Sequence, residues 1–328
     1  MENSPKVVFV FLGSKIPRYA ELNLKLIRKT FPDIQIFLIS DDPRNKDIVQ
    51  GVSFHKVPKM HDLWPAIYQN MSHNLSFRNG FWFSSIARFM AIREFMETGI
   101  EGPVIHLELD VLLFPGFPMD LFVAIKEDLA FTLASPSEGS AAVLYIKDLS
   151  SIKSLVSISE DLFCHSPGST DMTILRTIFE KKLMSTLILP SVPGEASDDE
   201  GRWNNYVFDP SSWGMYLLGQ DPRNHRGRLI FNRSESHHFI QPSEFTFNFH
   251  CGKLSARKGF HAAQLVNLHV HSKDLRVFRS PEKYIGYRTS KASQHEYSQI
   301  VFLLFIQLLS KKFKKEFGRL FRQVVSKK

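Results

Sequence analysis

The chain of 328 residues lacks most of the features that mark common protein classes. Cysteine occurs only twice, at Cys164 and Cys251, which excludes a disulfide scaffold. No stretch of 18 apolar residues exists. The longest apolar run, residues 300–309, is ten residues broken by Gln307, too short to span a bilayer as a helix. Met1, Glu2, Asn3 and Ser4 are not followed by a basic region and a long apolar run. No secretory signal is legible there, and a reducing cytosol is expected. The patterns GxxxxGK[ST], GxGxxG, HExxH, paired CxxC and GxSxG are also missing. Their absence weighs against an NTPase, a dinucleotide-dependent oxidoreductase, a zinc protease and a serine hydrolase. There is no Pro, Gly or Ser rich linker and no internal repeat.

What is present is ample core material, with 43% hydrophobic and 23% charged residues, so wholesale disorder is excluded. The formal net charge of +8 is unevenly placed: residues 311–328 hold eight basic residues and one acidic one, Glu316. The preceding body is nearly neutral.

Lys6 to Leu12 (KVVFVFL) reads as a strand buried on both faces, stopped at Gly13 and Ser14. A helical pattern over residues 19–30 and a second apolar run over 34–39 complete a βαβ unit, and a third strand is expected over 52–57. Residues 81–98 read as a long helix with Gly99 placed as its C-terminal cap, followed by a buried strand over 104–109. Further strands are expected over 129–133, 142–146, 187–189, 245–249 and 265–270, with helices over 150–158 and 171–182. The pattern implies an α/β fold: a Rossmann-like, mostly parallel central sheet flanked by helices, with ligands beyond the carboxyl ends of its strands. One domain is expected over residues 1–285, with a nucleotide-binding half (1–127) and an acceptor and metal-completing half (128–285). Residues 286–328 follow as a basic amphipathic helical tail.

The most informative segment is VIHLELDVLLF, residues 104–114, in which His106, Glu108 and Asp110 interrupt an apolar strand at period two. Alternation would place all three on one face. Burying two carboxylates without partners costs several kcal/mol, so a hard cation such as Mg²⁺ or Mn²⁺ is one explanation. Capping of the next helix or pairing with an arginine is the other.

At this point the sequence resembles a family. HLELDVLLF is similar to the acidic DxD-type motif of nucleotide-sugar-dependent glycosyltransferases of the GT-A fold, in a variant with Glu first. Five other blocks resemble the family in its order: VVFVFLGSKIPRY, FWFSSIARFMAIREFM, STDMTIL, YVFDPSSWGMYLLGQDPRN and VNLHVHSK. The resemblance implies a UDP- or GDP-sugar donor, a Mn²⁺ or Mg²⁺ cofactor, and a glycan or lipid-linked acceptor of the cell-surface polysaccharide or lipopolysaccharide type. It implies Asp110 as the first metal ligand, with Glu108 a second ligand or reaching the ribose or a metal-bound water, and either His269 or His271 completing the set; His271 is favoured because it adjoins Ser272 and Lys273. Lys273 and Arg88 would face the diphosphate and Asp171 the donor sugar. Gly13 and Asp41 would border the nucleotide, with an ordinary turn glycine and turn aspartate as alternatives. Asp209 would lie on the acceptor side, and Asp171 would otherwise be a helix cap.

In the tail, Leu309, Phe313, Phe317, Leu320, Phe321 and Val324 fall at helical spacing with basic residues between them. An anionic membrane surface bound through residues 300–328 is the expected partner, ahead of a helix docked on the body with a solvated basic face and, last, of nucleic acid. The expected location is cytoplasmic, peripheral at the inner membrane face. The competing readings are a non-catalytic membrane or nucleic-acid binding protein and a nucleotidyltransferase.

Overall fold

The computed structural model describes residues 5–73, 75, 77, 80–195, 201–219 and 240–293. The tail over 300–328, and with it the membrane expectation, lies outside the described residues. No helix among the described residues is long and apolar enough to cross a membrane.

The chain opens with β1 (Lys6–Phe11), α1 (Arg18–Thr30), β2 (Ile36–Ser40) and β3 (Ser53–Lys56). Two short helices, α2 (Met60–Leu63) and α3 (Pro65–Asn70), precede the long α4 (Phe81–Glu97). Then come β4 (Val104–Leu107), β5 (Val111–Leu113), α5 (Met119–Val123), β6 (Leu129–Ser135) and β7 (Glu138–Ile146). After α6 (Leu149–His165), α7 (Asp171–Glu180) and β8 (Thr186–Ile188) the chain forms β9 (Tyr206–Val207) and α8 (Ser212–Leu218). It continues through β10 (Thr246–His250), β11 (Lys253–Lys258), β12 (His261–Leu265) and β13 (Asn267–His269) to α9 (Leu275–Arg279) and α10 (Pro281–Ser293).

The central sheet has seven strands in the order β3-β2-β1-β4-β7-β6-β8. It is the expected α/β arrangement, mostly parallel: β3, β2, β1 and β4 run together, β7 runs against β4 and β6, and β8 is parallel to β6. Because β6 to β8 belong to this sheet, the expected division at residue 127 does not coincide with a sheet boundary. One sheet face packs Phe83, Ile86, Phe89, Met90 and Phe95 of α4 with Ile152 and Leu155 of α6. The other packs Ala20, Leu24 and Ile27 of α1 with Phe122 and Trp203. Both faces being covered explains why β1 reads as a continuous apolar run.

A four-stranded sheet, β10-β11-β12-β9, covers a third core with Trp213, Leu254 and Leu265. β11 and β12 were not legible as strands, since KLSARK and HAAQL bury one face only and carry few β-branched residues. Finally, β13 pairs with β5 in antiparallel register, His269 opposite Val111. This small ladder brings residues far apart in sequence to the end of β4.

Candidate active site at the end of the fourth strand

The expected strand over 104–109 ends at Leu107, and Glu108 to Asp110 form a turn closed by the Val111 N–H donating to the Glu108 carbonyl at 2.9 Å. His106, Glu108 and Asp110 therefore do not meet by strand alternation; the turn redirects the two carboxylates beyond the sheet edge. Asn23 of α1 fixes that turn, its Nδ2 donating to the Leu109 carbonyl at 3.1 Å and to the Val111 carbonyl at 2.7 Å. Sequence reasoning passed over Asn23. A fully buried polar residue on an otherwise apolar helix face was the available signal.

The β5–β13 ladder supplies the histidine. Val270 N–H donates to the Asp110 carbonyl at 2.8 Å, and His269 Nε2 stands 3.2 Å from Asp110 Oδ1 and 3.3 Å from Glu108 Oε2. One ligand atom each from Glu108, Asp110 and His269 lies within 4.8 Å of the others. The geometry thus brings His269, rather than the favoured His271, into this group. The His271 ring stands 4.3 Å from that of His269, tilted by 33°. Burial and the charge of His269 hold His271 down to about 3, so it is neutral.

Two cations flank the group. Lys273 Nζ lies 3.1 Å from Asp110 Oδ2, in a backbone conformation with φ of 51° that turns the chain back after β13. Arg88 of α4 places Nη1 2.5 Å from Glu108 Oε1 and Nη2 3.5 Å from Asp171 Oδ2. Its Nε donates to the Ser85 carbonyl at 2.7 Å, and Nη1 is 3.4 Å from His106 Nε2. Burial and the adjacent Arg88 charge lower His106 to about 3, leaving a neutral ring that can accept from the guanidinium.

The electrostatics are those of three carboxylates answered by three cations. Burial opposes ionisation of Asp110, but the charge and hydrogen bond of His269, with Lys273, hold it below the usual carboxylate range. Glu108 is likewise lowered, burial being outweighed by Arg88 and His269. Asp171 is raised, because burial and Glu108 outweigh the pull of Arg88. Burial alone would depress His269, yet Asp110 and Glu108 raise it to about 9. An imidazolium proton is therefore held between the two carboxylates. Its other nitrogen, Nδ1, is buried without a partner among the described residues. One imidazole nitrogen with two carboxylates suits a divalent cation that accepts oxygen and nitrogen donors, and such an ion would displace that proton.

Asp171 is the first residue of α7 and does not cap it. Thr170 is the cap, exchanging hydrogen bonds with Thr173. Gly13 and Asp41 lie beyond the ends of β1 and β2 and touch: the Gly13 N–H, at φ of 85°, donates to Asp41 Oδ1 at 2.7 Å. The Met60 N–H donates to the other oxygen at 3.1 Å, so Asp41 ties two strand ends to α2. Asp209 is spent on the backbone too. Its carboxylate accepts from the N–H groups of Ser211, Trp213, Gly214 and His269, at 2.8 to 3.0 Å. Its four backbone donors tie it to the fold, and one of them sets the position of His269. Gly214 is required beside it, since a Cβ there would lie 1.9 Å from the His269 carbonyl oxygen.

No protein-family model matches the chain, and no curated protein matches it. Among solved structures it is similar to galactosyltransferase LgtC in complex with donor and acceptor sugar analogues, at 15% identity and a TM-score of 0.39, over 56% of this chain and 73% of that one. It is similar to mouse xyloside xylosyltransferase 1, at 13% identity and a TM-score of 0.41, over 64% and 89% of the two chains. A third likeness is to the glycosyltransferase GlyE of Streptococcus pneumoniae TIGR4, at 16% and 0.34, over 56% and 45%. At these identities and TM-scores none of them assigns an activity to this chain.

Proposed function

We propose that the chain is a metal-dependent glycosyltransferase of GT-A type, moving a sugar from a UDP- or GDP-linked donor to a glycan or lipid-linked acceptor. The observation that supports this reading most is the convergence of Glu108, Asp110 and His269 between Lys273 and Arg88, beyond the carboxyl end of β4. The donor set would hold Mn²⁺ or Mg²⁺ through Asp110, His269 and Glu108. When bound, that ion neutralises charge growing on the departing diphosphate.

The chain's own residues supply the remaining parts. Lys273 adds a positive charge on the same side of Asp110. Arg88 serves first as a positioning residue, because its guanidinium is engaged by Glu108 and Asp171. Asp171 stands beside it for the donor sugar. Gly13 and Asp41 border the nucleotide at the ends of β1 and β2, where parallel sheets bind ligands. Asp209 and Gly214 hold His269 in register. The basic tail, residues 300–328, would bring the enzyme to an anionic membrane at the cytoplasmic face, where a lipid-linked acceptor is found.

The test is a thermal-shift screen of UDP- and GDP-sugars with Mn²⁺. A donor present at 100 times its Kd should stabilise the native state by about 2.7 kcal/mol. The Asp110→Ala protein should lose both that shift and metal-dependent donor hydrolysis. A screen in which no nucleotide sugar raises the midpoint, or unchanged hydrolysis by Asp110→Ala, rejects the reading.

A further inference from the structure

The sheet of β10, β11 and β12 has one face in the third core and one in solvent. Phe247, Leu254, Ala256, Ala263 and Leu265 are buried, whereas Thr246, Asn248, His250, Lys253 and Arg257 are exposed. The register sets Lys253 opposite His250, and Arg257 opposite Thr246 and Ala262. Between Thr246 and Leu265 the sequence has three Lys and Arg residues and no Asp or Glu. At this end of the sheet Glu244 pairs with Lys258.

The β11–β12 turn carries Gly259 and Phe260, and Phe260 is 98% exposed. The next most exposed large hydrophobic among the described residues is Tyr287, at 54%. Hairpin tips ordinarily take Gly, Asn or Asp for conformational reasons. A phenyl ring standing free there contributes nothing to the core and exposes its full apolar area to water. The last described helix, α10, packs on β10 of the same sheet.

We propose that this hairpin is a membrane contact. Phe260 enters the boundary between headgroups and acyl chains of an anionic bilayer, and Arg257, with Lys253 on the same exposed face of β11, lies over the headgroups. Aromatic rings favour that boundary, and each cation near an anionic leaflet strengthens partition about five-fold. A single ring at the tip of a basic hairpin has the form of a wedge for lipid. Single-stranded nucleic acid calls instead for successive aromatic platforms along a groove. The proposal concerns residues other than 300–328 and does not depend on sugar-transfer chemistry.

The test uses the full chain and vesicles of phosphatidylcholine with or without phosphatidylglycerol. A Phe260→Trp protein adds a fifth tryptophan to the native four. Relative to wild type, its added fluorescence should shift to the blue on anionic vesicles and be quenched by brominated lipid. Phe260→Ser and Arg257→Ser should each weaken partition into anionic vesicles about five-fold, with an unchanged urea midpoint. An added tryptophan that emits identically with and without vesicles overturns the proposal, as does a Phe260→Ser protein that partitions like wild type. Binding of a single-stranded oligonucleotide that depends on Phe260, with no partition into vesicles, would reassign the hairpin to nucleic acid.

Discussion

Two buried carboxylates reach His269, Asp209 at its backbone and Asp110 at its ring, and they are held in different ways. In the corner between α8 and β13, Asp209 accepts four backbone N–H groups, one of them from His269 itself. In the turn between β4 and β5, Asp110 faces the side chains of His269 and Lys273. A carboxylate filled by backbone donors is part of the fold, because moving it would orphan the amides it satisfies. One held by charged side chains can exchange a partner for a ligand at little structural cost. The difference separates architecture from chemistry within one site.

Substitutions should break this comparison in opposite directions. The largest effect is expected for Asp110→Asn, which should lower metal-dependent transfer about a thousand-fold, several kcal/mol of charge stabilisation. Its thermal midpoint should fall as well, though proportionately less than the activity, since Asp110 is the charge that most raises His269. Gly214→Ala should show the reverse preference, since its Cβ would overlap the His269 carbonyl. A loss of about 3 kcal/mol in urea unfolding is expected from such overpacking. Asp209→Asn should cost about 2 kcal/mol of stability, because an amide cannot accept from all four donors. Asp209→Asn unfolding at the wild-type midpoint would erase the distinction drawn between the two carboxylates.

The two histidines sharpen the comparison on a smaller scale. His269→Asn should weaken Mn²⁺ binding ten-fold or more, on the order of a ligand or its close support, while His271→Asn should leave it nearly unchanged. Calorimetric titration of the two proteins separates them. The pH dependence has a definite sign. His269 is raised to about 9, above its unfolded value near 6.5. Its stabilising contribution in the metal-free protein is present below 6.5 and is lost as pH rises through 9. A metal competes for the same site, so its affinity should rise about ten-fold per pH unit toward pH 9, with one proton released per ion. An affinity that is flat between pH 6.5 and 8.5 would show that no such proton is displaced.

The central sheet was legible because β1, β2 and β4 are buried on both faces and write that burial into continuous apolar runs. The small sheet was not, because Lys253 to Lys258 and His261 to Leu265 bury alternate residues and offer little β propensity. In the candidate site, strand alternation was the wrong reason for Glu108 and Asp110 to meet: the two carboxylates converge across a turn held by Asn23. Which histidine joins them depends on the β5–β13 register, a long-range pairing that local pattern does not reveal. Nor does the sequence display that Arg88, expected to face the diphosphate, pairs with Glu108 and Asp171. Asp209 read as a functional aspartate because the sequence does not display the four amides that surround it.

The central claim, that Glu108, Asp110 and His269 hold a divalent ion for a nucleotide diphosphate, is tested most directly by calorimetric titration of UDP and GDP with Mn²⁺ and with EDTA. For one of the two, Mn²⁺ should tighten binding at least ten-fold in the wild-type protein, and that gain should vanish in Asp110→Asn. Equal affinity with Mn²⁺ and with EDTA, or an unchanged gain in Asp110→Asn, would contradict it.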